Sequence, residues 1–198
     1  MQDDVARLID ALARPAGGSS DFDLVPPFVP PSGRALRPAA VLVPIWLRPS
    51  GARVILTKRA SHLKHHPGQI AFPGGKVEEG DADLEATALR EAWEEIGLPP
   101  SRVEILGRLS GHETVTNYQM TPILGLIRDD FAPVADASEV EEVFSVPLSH
   151  VLDTARYVIE GRMWMGTRRR YFAVPYGPYY IWGATARILR GLAERAAP

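Results

Sequence analysis

Apolar residues recur with helical spacing in three segments of the chain. Residues 2–13 follow an i, i+3, i+4, i+7 pattern, which is typical of a short amphipathic helix. Residues 84–96 contain strong helix formers and end before Gly97 and Pro99, a combination that stops a helix. Residues 181–194 carry one apolar stripe that predicts a third, core-packed helix, formed by Ile181, Ala184, Ile188, Leu189 and Leu192. For residues 2–13 we expect packing on the chain's own domain, with a homodimer contact as the alternative.

Shorter apolar runs between turn residues predict strands. Residues 39–47 and 53–58 form a pair around a Pro-Ser-Gly turn, and residues 103–109 and 120–127 predict two more strands. Residues 139–148 place three glutamates directly before another apolar strand. The segment before these strands, residues 14–38, is rich in Pro, Gly and Ser, which favours an extended connection over a separate domain.

Composition narrows the class of protein. The chain has 198 residues with 45% hydrophobic content, enough for a compact core. Its net charge of −2 gives no basic field, so we expect no long nucleic acid as a partner. It has no cysteine, which excludes disulfides and a thiol nucleophile. With acids at Asp3 and Asp4 and no long apolar run, the sequence predicts no membrane anchor and a cytoplasmic location.

The predicted helix of residues 84–96 concentrates negative charge. Glu91, Glu94 and Glu95 are three or four residues apart or adjacent and project from one side. A like-charged i, i+4 pair costs about 0.2–0.5 kcal/mol, and anions near a helix C-terminus are disfavoured as well. A solvated acidic face is one interpretation. A bound divalent cation would reverse the unfavourable charge, and the Gly74-Gly75 turn shortly upstream favours this second interpretation.

These residues resemble the Nudix box, G-x5-E-x7-R-E-U-x-E-E-x-G-U with U apolar. The second half matches at every specified position from Arg90 to Leu98. The first half departs from the pattern, because Asp81 stands six residues after Gly75 and eight residues separate it from Arg90. The longer loop with an aspartate is what we expect of one branch of the family, the coenzyme A pyrophosphatases.

A second segment is similar to the signature of that branch, L-L-T-x-R-[SA]-x3-R-x3-G-x3-F-P-G-G. Residues 55–75 read ILTKRASHLKHHPGQIAFPGG, with Ile55 in place of a leucine and Lys64 in place of an arginine. Lysine keeps the charge but lacks the planar fork of a guanidinium. The positions in register are Thr57, Arg59, Ala60, Gly68, Phe72, Pro73, Gly74 and Gly75.

The resemblance implies an α/β Nudix fold, an α/β/α sandwich with a mixed β-sheet between helices. It implies one Nudix hydrolase domain over residues 1–198, with residues 1–38 as N-terminal helix and Pro-rich lead-in and the Nudix box at residues 75–98. The activity implied is hydrolysis of the diphosphate of coenzyme A or acyl-CoA, which gives 3′,5′-ADP and (acyl-)4′-phosphopantetheine. Hard carboxylate oxygens suit Mg²⁺ or Mn²⁺.

Site residues follow from the two motifs. The metal ligands implied are Glu91, Glu94, Glu95 and the carbonyl of Gly75. The substrate-binding residues implied are Arg59, Lys64, His66 and Gly74. The catalytic residues implied are Glu94, Glu95, Arg90 and Glu142. Arg90 is expected to orient a glutamate or the loop, and either Glu142 or Glu139 is expected to act as general base.

Several alternatives stay open on the sequence. His62, His65 and His66 lack a second ligand cluster, so substrate or loop contacts are favoured over zinc. Residues 162–180 combine Arg168, Arg169 and Arg170 with aromatic residues; they predict a hairpin with a basic turn or, alternatively, a site for adenine and a 3′-phosphate. Other nucleotide diphosphates, such as ADP-ribose or a dinucleoside polyphosphate, are rival substrates. A non-catalytic nucleotide sensor is a further rival, although such a protein would be expected to lose the box acids.

Overall fold

The computed structural model describes residues 2–24, 33–164 and 167–197. Its described helices are α1 (Gln2–Ala13), α2 (Leu84–Ile96), α3 (Leu148–Val151) and α4 (Gly183–Ala196), with short 3-10 turns at Pro100–Arg102 and Thr154–Arg156. The three helices expected from apolar spacing are α1, α2 and α4, and all three are confirmed.

The described strands form one mixed sheet and one hairpin. The strands of the mixed sheet are β1 (Ser19–Ser20), β2 (Arg37–Arg48), β3 (Gly51–Arg59), β4 (Ile70–Ala71), β5 (Gly74–Lys76), β6 (Val103–Arg108), β7 (His112–Glu113), β8 (Tyr118–Ile127) and β9 (Val140–Pro147). The separate hairpin consists of β10 (Val158–Trp164) and β11 (Thr167–Ala173). Every strand expected from the sequence is present.

The long strands β2 and β8 run side by side at the centre of the sheet. They are parallel from Arg37 opposite Tyr118 to Trp46 opposite Ile127. The tight turn after Arg48 makes β3 antiparallel to β2, and β9 then pairs antiparallel with β3. Strand β5 lies against the first half of β2, with Ala40 opposite Gly75. This pairing places the Gly-Gly turn beside the central strand.

Side chains alternate between the two faces of β2 and build two cores. Val41, Val43 and Ile45 belong to the larger core, which also contains buried residues of α1 and α4. Ala40 and Leu42 belong to the smaller core, together with Ala88, Ala92 and Ile96 of α2. The sheet is therefore covered by α2 on one face and by α1 and α4 on the other, which confirms the α/β/α sandwich.

Helix α1 packs on its own chain, as expected, because Leu8 and Ala11 are fully buried in the larger core. Part of the connection of residues 14–38 forms a strand that its composition did not indicate. This strand, β1, pairs in parallel with β7. Residues 25–32 of that connection lie outside the described part of the chain.

A buried histidine holds this connection to the sheet. His112 is 0% exposed; its Nδ1 lies 2.9 Å from the Ser19 hydroxyl and its Nε2 lies 3.1 Å from an Asp21 carboxylate oxygen. The other Asp21 oxygen accepts from the backbone N–H of Val115 at 2.8 Å. Because both ring nitrogens have partners and the Ser19 N–H is bonded to Gly111, we interpret the trio as a structural tether.

Candidate active site

Asp83 and Gly97 cap the two ends of helix α2. The Asp83 side chain accepts from the Ala86 N–H at 2.8 Å and caps the N-terminus. At the other end Gly97 adopts φ 66° and its N–H reaches the carbonyls of Ala92 and Trp93. These caps hold the acidic face of the helix in a fixed position against β5 and the sheet.

The two glycines of the FPGG turn let backbone and carboxylates approach closely. A Cβ on Gly74 would lie 2.5 Å from the Ala40 carbonyl oxygen, and one on Gly75 would overlap the Glu91 carboxylate. The backbone N–H of Gly74 favours the charged form of the Glu95 carboxylate. Gly74 therefore requires glycine, because the turn packs against the backbone of β2, whereas a side chain at position 75 would have to displace the Glu91 carboxylate.

The three box acids differ strongly in exposure. Glu95 is 5% exposed, the side chain of Glu91 is 14% exposed, and that of Glu94 is 53% exposed. Glu91 and Glu95 thus face inward toward the Gly-Gly turn, whereas Glu94 lies at the rim. The expectation that all three project together holds for helical spacing, but only two of them are enclosed.

Arg90 is the centre of an ion-pair network that ties the preceding loop to the helix. Its Nε and Nη2 donate to the two carboxylate oxygens of Asp81 at 2.9 and 3.0 Å, a bidentate geometry. Its Nη1 donates to Glu91 at 3.0 Å and to Glu94 at 2.9 Å. The Arg90 guanidinium holds the pKa of Asp81 well below its usual range, and Thr87 also donates to that carboxylate at 2.9 Å. Asp81, to which the sequence assigned no role, is the anchor of this network.

Negative charge accumulates at the buried end of the cluster. Burial, together with the charges of Glu91 and Glu139, raises the pKa of Glu95 to about 8, and the nearby Arg59 offsets part of this rise. Burial also raises the pKa of Glu91, against the opposing effect of Arg90. Such carboxylates are kept together at a cost, which a bound cation would remove.

The two candidate bases lie on different sides of the sheet. Glu139 lies close enough to raise the pKa of both Glu91 and Glu95 by its charge, and its carbonyl accepts from the Ala60 N–H at 2.8 Å. Glu142 instead accepts from the Tyr179 hydroxyl at 2.5 Å. Tyr179 stacks on Phe144, which packs into the larger core, opposite the face that carries α2. The structure therefore brings Glu139, and not Glu142, to the box acids.

The substrate-binding side chains expected from the sequence differ in their exposure to solvent. Arg59, at the end of β3, stabilises the charged form of Glu95, and its Nε is buried without a hydrogen-bond partner among the described residues. Lys64 and His66 are exposed in the loop that follows, where His66 has a left-handed backbone with φ 54°. His62 contacts the Ser138 carbonyl at 3.1 Å. This last contact agrees with the loop interpretation of the histidines.

A metal-binding geometry is not preassembled. Within residues 2–24, 33–164 and 167–197, no group of three His, Asp or Glu side chains is arranged to hold a metal ion. Arg90 accounts for part of this, since it binds Glu91 and Glu94 directly. The chemistry of the donors still fits a hard divalent cation, because Glu91, Glu95 and Glu139 present carboxylate oxygens that repel one another.

The expected hairpin is present, but Arg168, Arg169 and Arg170 lie on its second strand, β11, and not in its turn. Strands β10 and β11 pair antiparallel, and Phe172 packs against the larger core on the α4 side. Arg169 lies over the Phe22 ring, and Arg162 lies over Trp182. Residues 165 and 166 at its tip lie outside the described part of the chain. Recognition of adenine or a 3′-phosphate there stays a prediction.

Comparison with known proteins identifies the family. The NUDIX domain model matches residues 36–163, which include the acid cluster and the whole central sheet from β2 to β9. The chain belongs to the Nudix family and is a Nudix pyrophosphatase, an enzyme that acts on nucleoside diphosphate derivatives. Enzymes of this family generally use divalent metal ions.

Curated relatives share most of their length with this chain. A protein named uncharacterized Nudix hydrolase NudL from Enterobacter sp. (strain 638) is 44% identical over 174 residues, which cover 88% of this chain and 90% of the relative. Its counterpart from Escherichia coli O157:H7 (strain EC4115 / EHEC) is 43% identical over the same shares.

Solved structures agree on the fold. The NUDIX domain of Shewanella oneidensis NrtR, crystallised with ADP ribose, aligns with a TM-score of 0.53 and 19% identity over 86% of this chain and 95% of that one. The MutT protein from Methanosarcina mazei Go1 aligns with a TM-score of 0.52 and 19% identity over 84% and 96%. Among the described residues, no helix is long and apolar enough to cross a membrane.

Proposed function

We propose that this enzyme hydrolyses the diphosphate bridge of coenzyme A or acyl-CoA. Water adds across the bridge, one P–O bond breaks, and the products are 3′,5′-ADP and (acyl-)4′-phosphopantetheine. The observation that carries the proposal is the coincidence of the two motifs at one place. The segment of residues 55–75 resembles the coenzyme A signature. It contains Arg59, whose charge acts on Glu95, and it ends with Gly75 against Glu91.

The acids divide into ligands and a base in this proposal. Glu91 and Glu95, with the Gly75 carbonyl, are the groups that would hold Mg²⁺ or Mn²⁺, and Glu94 joins them only by leaving Arg90. A bound divalent cation supplies neutralisation of phosphate charge and a water of lowered pKa. Glu139 accepts the proton of the attacking water on a carboxylate oxygen, since it lies within electrostatic reach of both ligands.

The cationic residues position the substrate and the loop. Arg59 carries a buried Nε without a protein partner among the described residues, so it can donate to a phosphate oxygen. Lys64 and His66, in the same loop and exposed, are proposed to contact the phosphate or the pantetheine side. Arg90 acts through Asp81, Glu91 and Glu94 and keeps the acidic helix registered against the Gly-Gly turn.

Substrate competition tests the proposal. The purified enzyme would receive coenzyme A, acetyl-CoA, ADP-ribose and a diadenosine polyphosphate under identical conditions with Mg²⁺ or Mn²⁺. We expect kcat/KM for the coenzyme A compounds to exceed that for the others by about tenfold or more. A preference for ADP-ribose or the dinucleotide would keep the Nudix chemistry and refute the coenzyme A assignment. Tight binding of a nucleotide without turnover would favour a sensor.

A further inference from the structure

A cleft lies where the end of α4 meets α1, on the sheet face opposite the acid cluster. Its volume is about 400 Å³. The described residues that line it are Arg7, Asp10, Arg14, Arg195, Ala196 and Ala197. Neither the Nudix box nor the segment of residues 55–75 contributes to it, so the catalytic proposal does not account for this cleft.

Among the described residues that line the cleft, arginines outnumber acids. Arg7, Arg14 and Arg195 line it with a single acid, Asp10, among the described residues. None of the three arginines forms an ion pair within the described chain, whereas Arg187 and Arg190 earlier on α4 pair with Asp23 and Glu194. The side chains of this lining therefore carry about two more positive than negative charges, part of which offsets the negative C-terminal end of α4.

Arg195 is the least compensated of the three. Its Nε is buried without a hydrogen-bond partner in the part of the chain that the structure describes. Burial lowers the pKa of its guanidinium, and no acid opposes this effect. Arg195 also lines a neighbouring cleft of about 240 Å³ formed by the segment before β1 and α4, so its side chain stands between two solvent-reachable spaces.

Helix capping explains only part of this arrangement. Arg7 donates to the Ala196 carbonyl at 3.2 Å, and Arg14 donates to the Arg195 carbonyl at 2.7 Å, which satisfies the C-terminal end of α4. A guanidinium carries further N–H donors in a planar fork that these bonds do not use. Capping also gives no reason for a buried Nε on Arg195, because a charge placed there without a partner is unfavourable.

We propose that the cleft between α1 and α4 is a binding site for a soluble anion that carries phosphate groups with two or more negative charges. Guanidinium forks match phosphate oxygens in pairs, and an excess of two positive charges suits such an anion better than a monocarboxylate. The volume accommodates more than one phosphate group. The site is separate from the catalytic acids by the thickness of the sheet.

Calorimetric titration of the full-length protein with inorganic pyrophosphate tests this site. Chelator in the buffer removes divalent cations, and sodium chloride at matched ionic strength controls for general screening. We expect saturable binding whose Kd rises about tenfold or more in Arg195→Gln, since that substitution removes charge-assisted hydrogen bonds. Arg128→Gln, which alters an exposed arginine paired with Glu104, is the matched control and should bind as the wild type does.

Two further variants keep the result interpretable. Arg59→Gln removes a cation beside the catalytic acids and should leave this binding unchanged, whereas a loss there would locate the anion in the active site. The double variant Arg7→Gln/Arg14→Gln should also lose binding. Without anion, Arg195→Gln should melt at or above the wild-type temperature, because the substitution removes an unpaired, half-buried charge. Absence of saturable binding, or equal binding by wild type and Arg195→Gln, would overturn the proposal.

Discussion

The environment of Glu95 is unfavourable for a carboxylate. It is almost fully buried, close to two other acids and only partly compensated by Arg59 and the Gly74 N–H. A carboxylate in that position destabilises the protein, and a bound cation would offset this cost. In the proposed site, the same side chain would lower the stability of the protein and support its catalysis.

Replacement of this carboxylate tests its role. Glu95→Gln keeps the size and the possibility of accepting from Gly74 but removes the charge, so kcat/KM should fall by about two to three orders of magnitude or more. Steady-state kinetics measure the loss, and circular dichroism with thermal melting shows whether the fold persists. Glu104→Gln, on an exposed ion pair, is the matched control. Near-normal turnover by a folded Glu95→Gln protein would refute the metal assignment.

The general base is distinguished by a pair of matched variants. Glu139→Gln should lower kcat by about 10²–10⁴, because the charge of Glu139 acts on Glu91 and Glu95, the proposed ligands. Glu142→Gln should change kcat less than about threefold, because Glu142 bonds to Tyr179 on the other face of the sheet. The reverse ranking of the two kcat values would return the role of base to Glu142.

At the scale of elements, the loop before α2 is fastened to the helix by one carboxylate. Asp81 accepts from Arg90, from Thr87 and from the Glu78 N–H, so it orders the loop and the helix together. The motif comparison could not assign this role, since both the residue type and its distance from Arg90 depart from the Nudix pattern. The side chain still reaches Arg90, and the Asp81 N–H closes the preceding turn by donating to the Glu78 carbonyl at 3.0 Å.

The Asp81 pair makes stability depend on pH. Asp81→Asn should lower the free energy of unfolding by about 1–3 kcal/mol near neutral pH. The pKa of Asp81 is lowered in the folded state, so this advantage is present above the unfolded pKa of about 3.9 and is lost as the pH falls toward the folded value. Urea unfolding of both proteins at about pH 7 and about pH 3 measures it. A gap that widened in acid would contradict the assignment.

The contacts of His112 with Ser19 and Asp21 hold β1 to β7. His112→Ala should cost about 2–3 kcal/mol, because it leaves a cavity and removes the partners of Ser19 and Asp21. Ser19→Ala, which removes one hydrogen bond, should cost only about 1 kcal/mol. Chemical denaturation gives both values. If the two losses were equal and small, the histidine would not hold the connection.

At the scale of the whole molecule, the sequence predicted the helices and strands better than the strand pairing and the side of the sheet on which a residue lies. Helical spacing predicted α1, α2 and α4, and short apolar runs predicted β2, β3, β6, β8 and β9, because each signal is local. Two features depended on long-range pairing and were not predicted: strand β1, which needs β7 as its partner, and the separation of Glu139 from Glu142 across the sheet.

The acid cluster shows the same limit. Helical spacing predicted Glu91, Glu94 and Glu95 on one helix. Their different burial depends on contacts with β5 and Arg90, and helical spacing does not predict such contacts. Arg59 and Glu95 are 36 positions apart in sequence and meet only because β3 ends beside the Gly-Gly turn. The charge excess at the α1–α4 cleft likewise arises from residues at opposite ends of the chain.

Product identification from coenzyme A in ¹⁸O-labelled water tests the central claim most directly. Mass spectrometry of a reaction with Mg²⁺ or Mn²⁺ should show 3′,5′-ADP and 4′-phosphopantetheine, with one ¹⁸O atom in one of the two new phosphate groups. A reaction with chelator should show neither product. Release of inorganic phosphate and dephosphorylated coenzyme A, or no cation-dependent cleavage of coenzyme A, would contradict the proposed reaction.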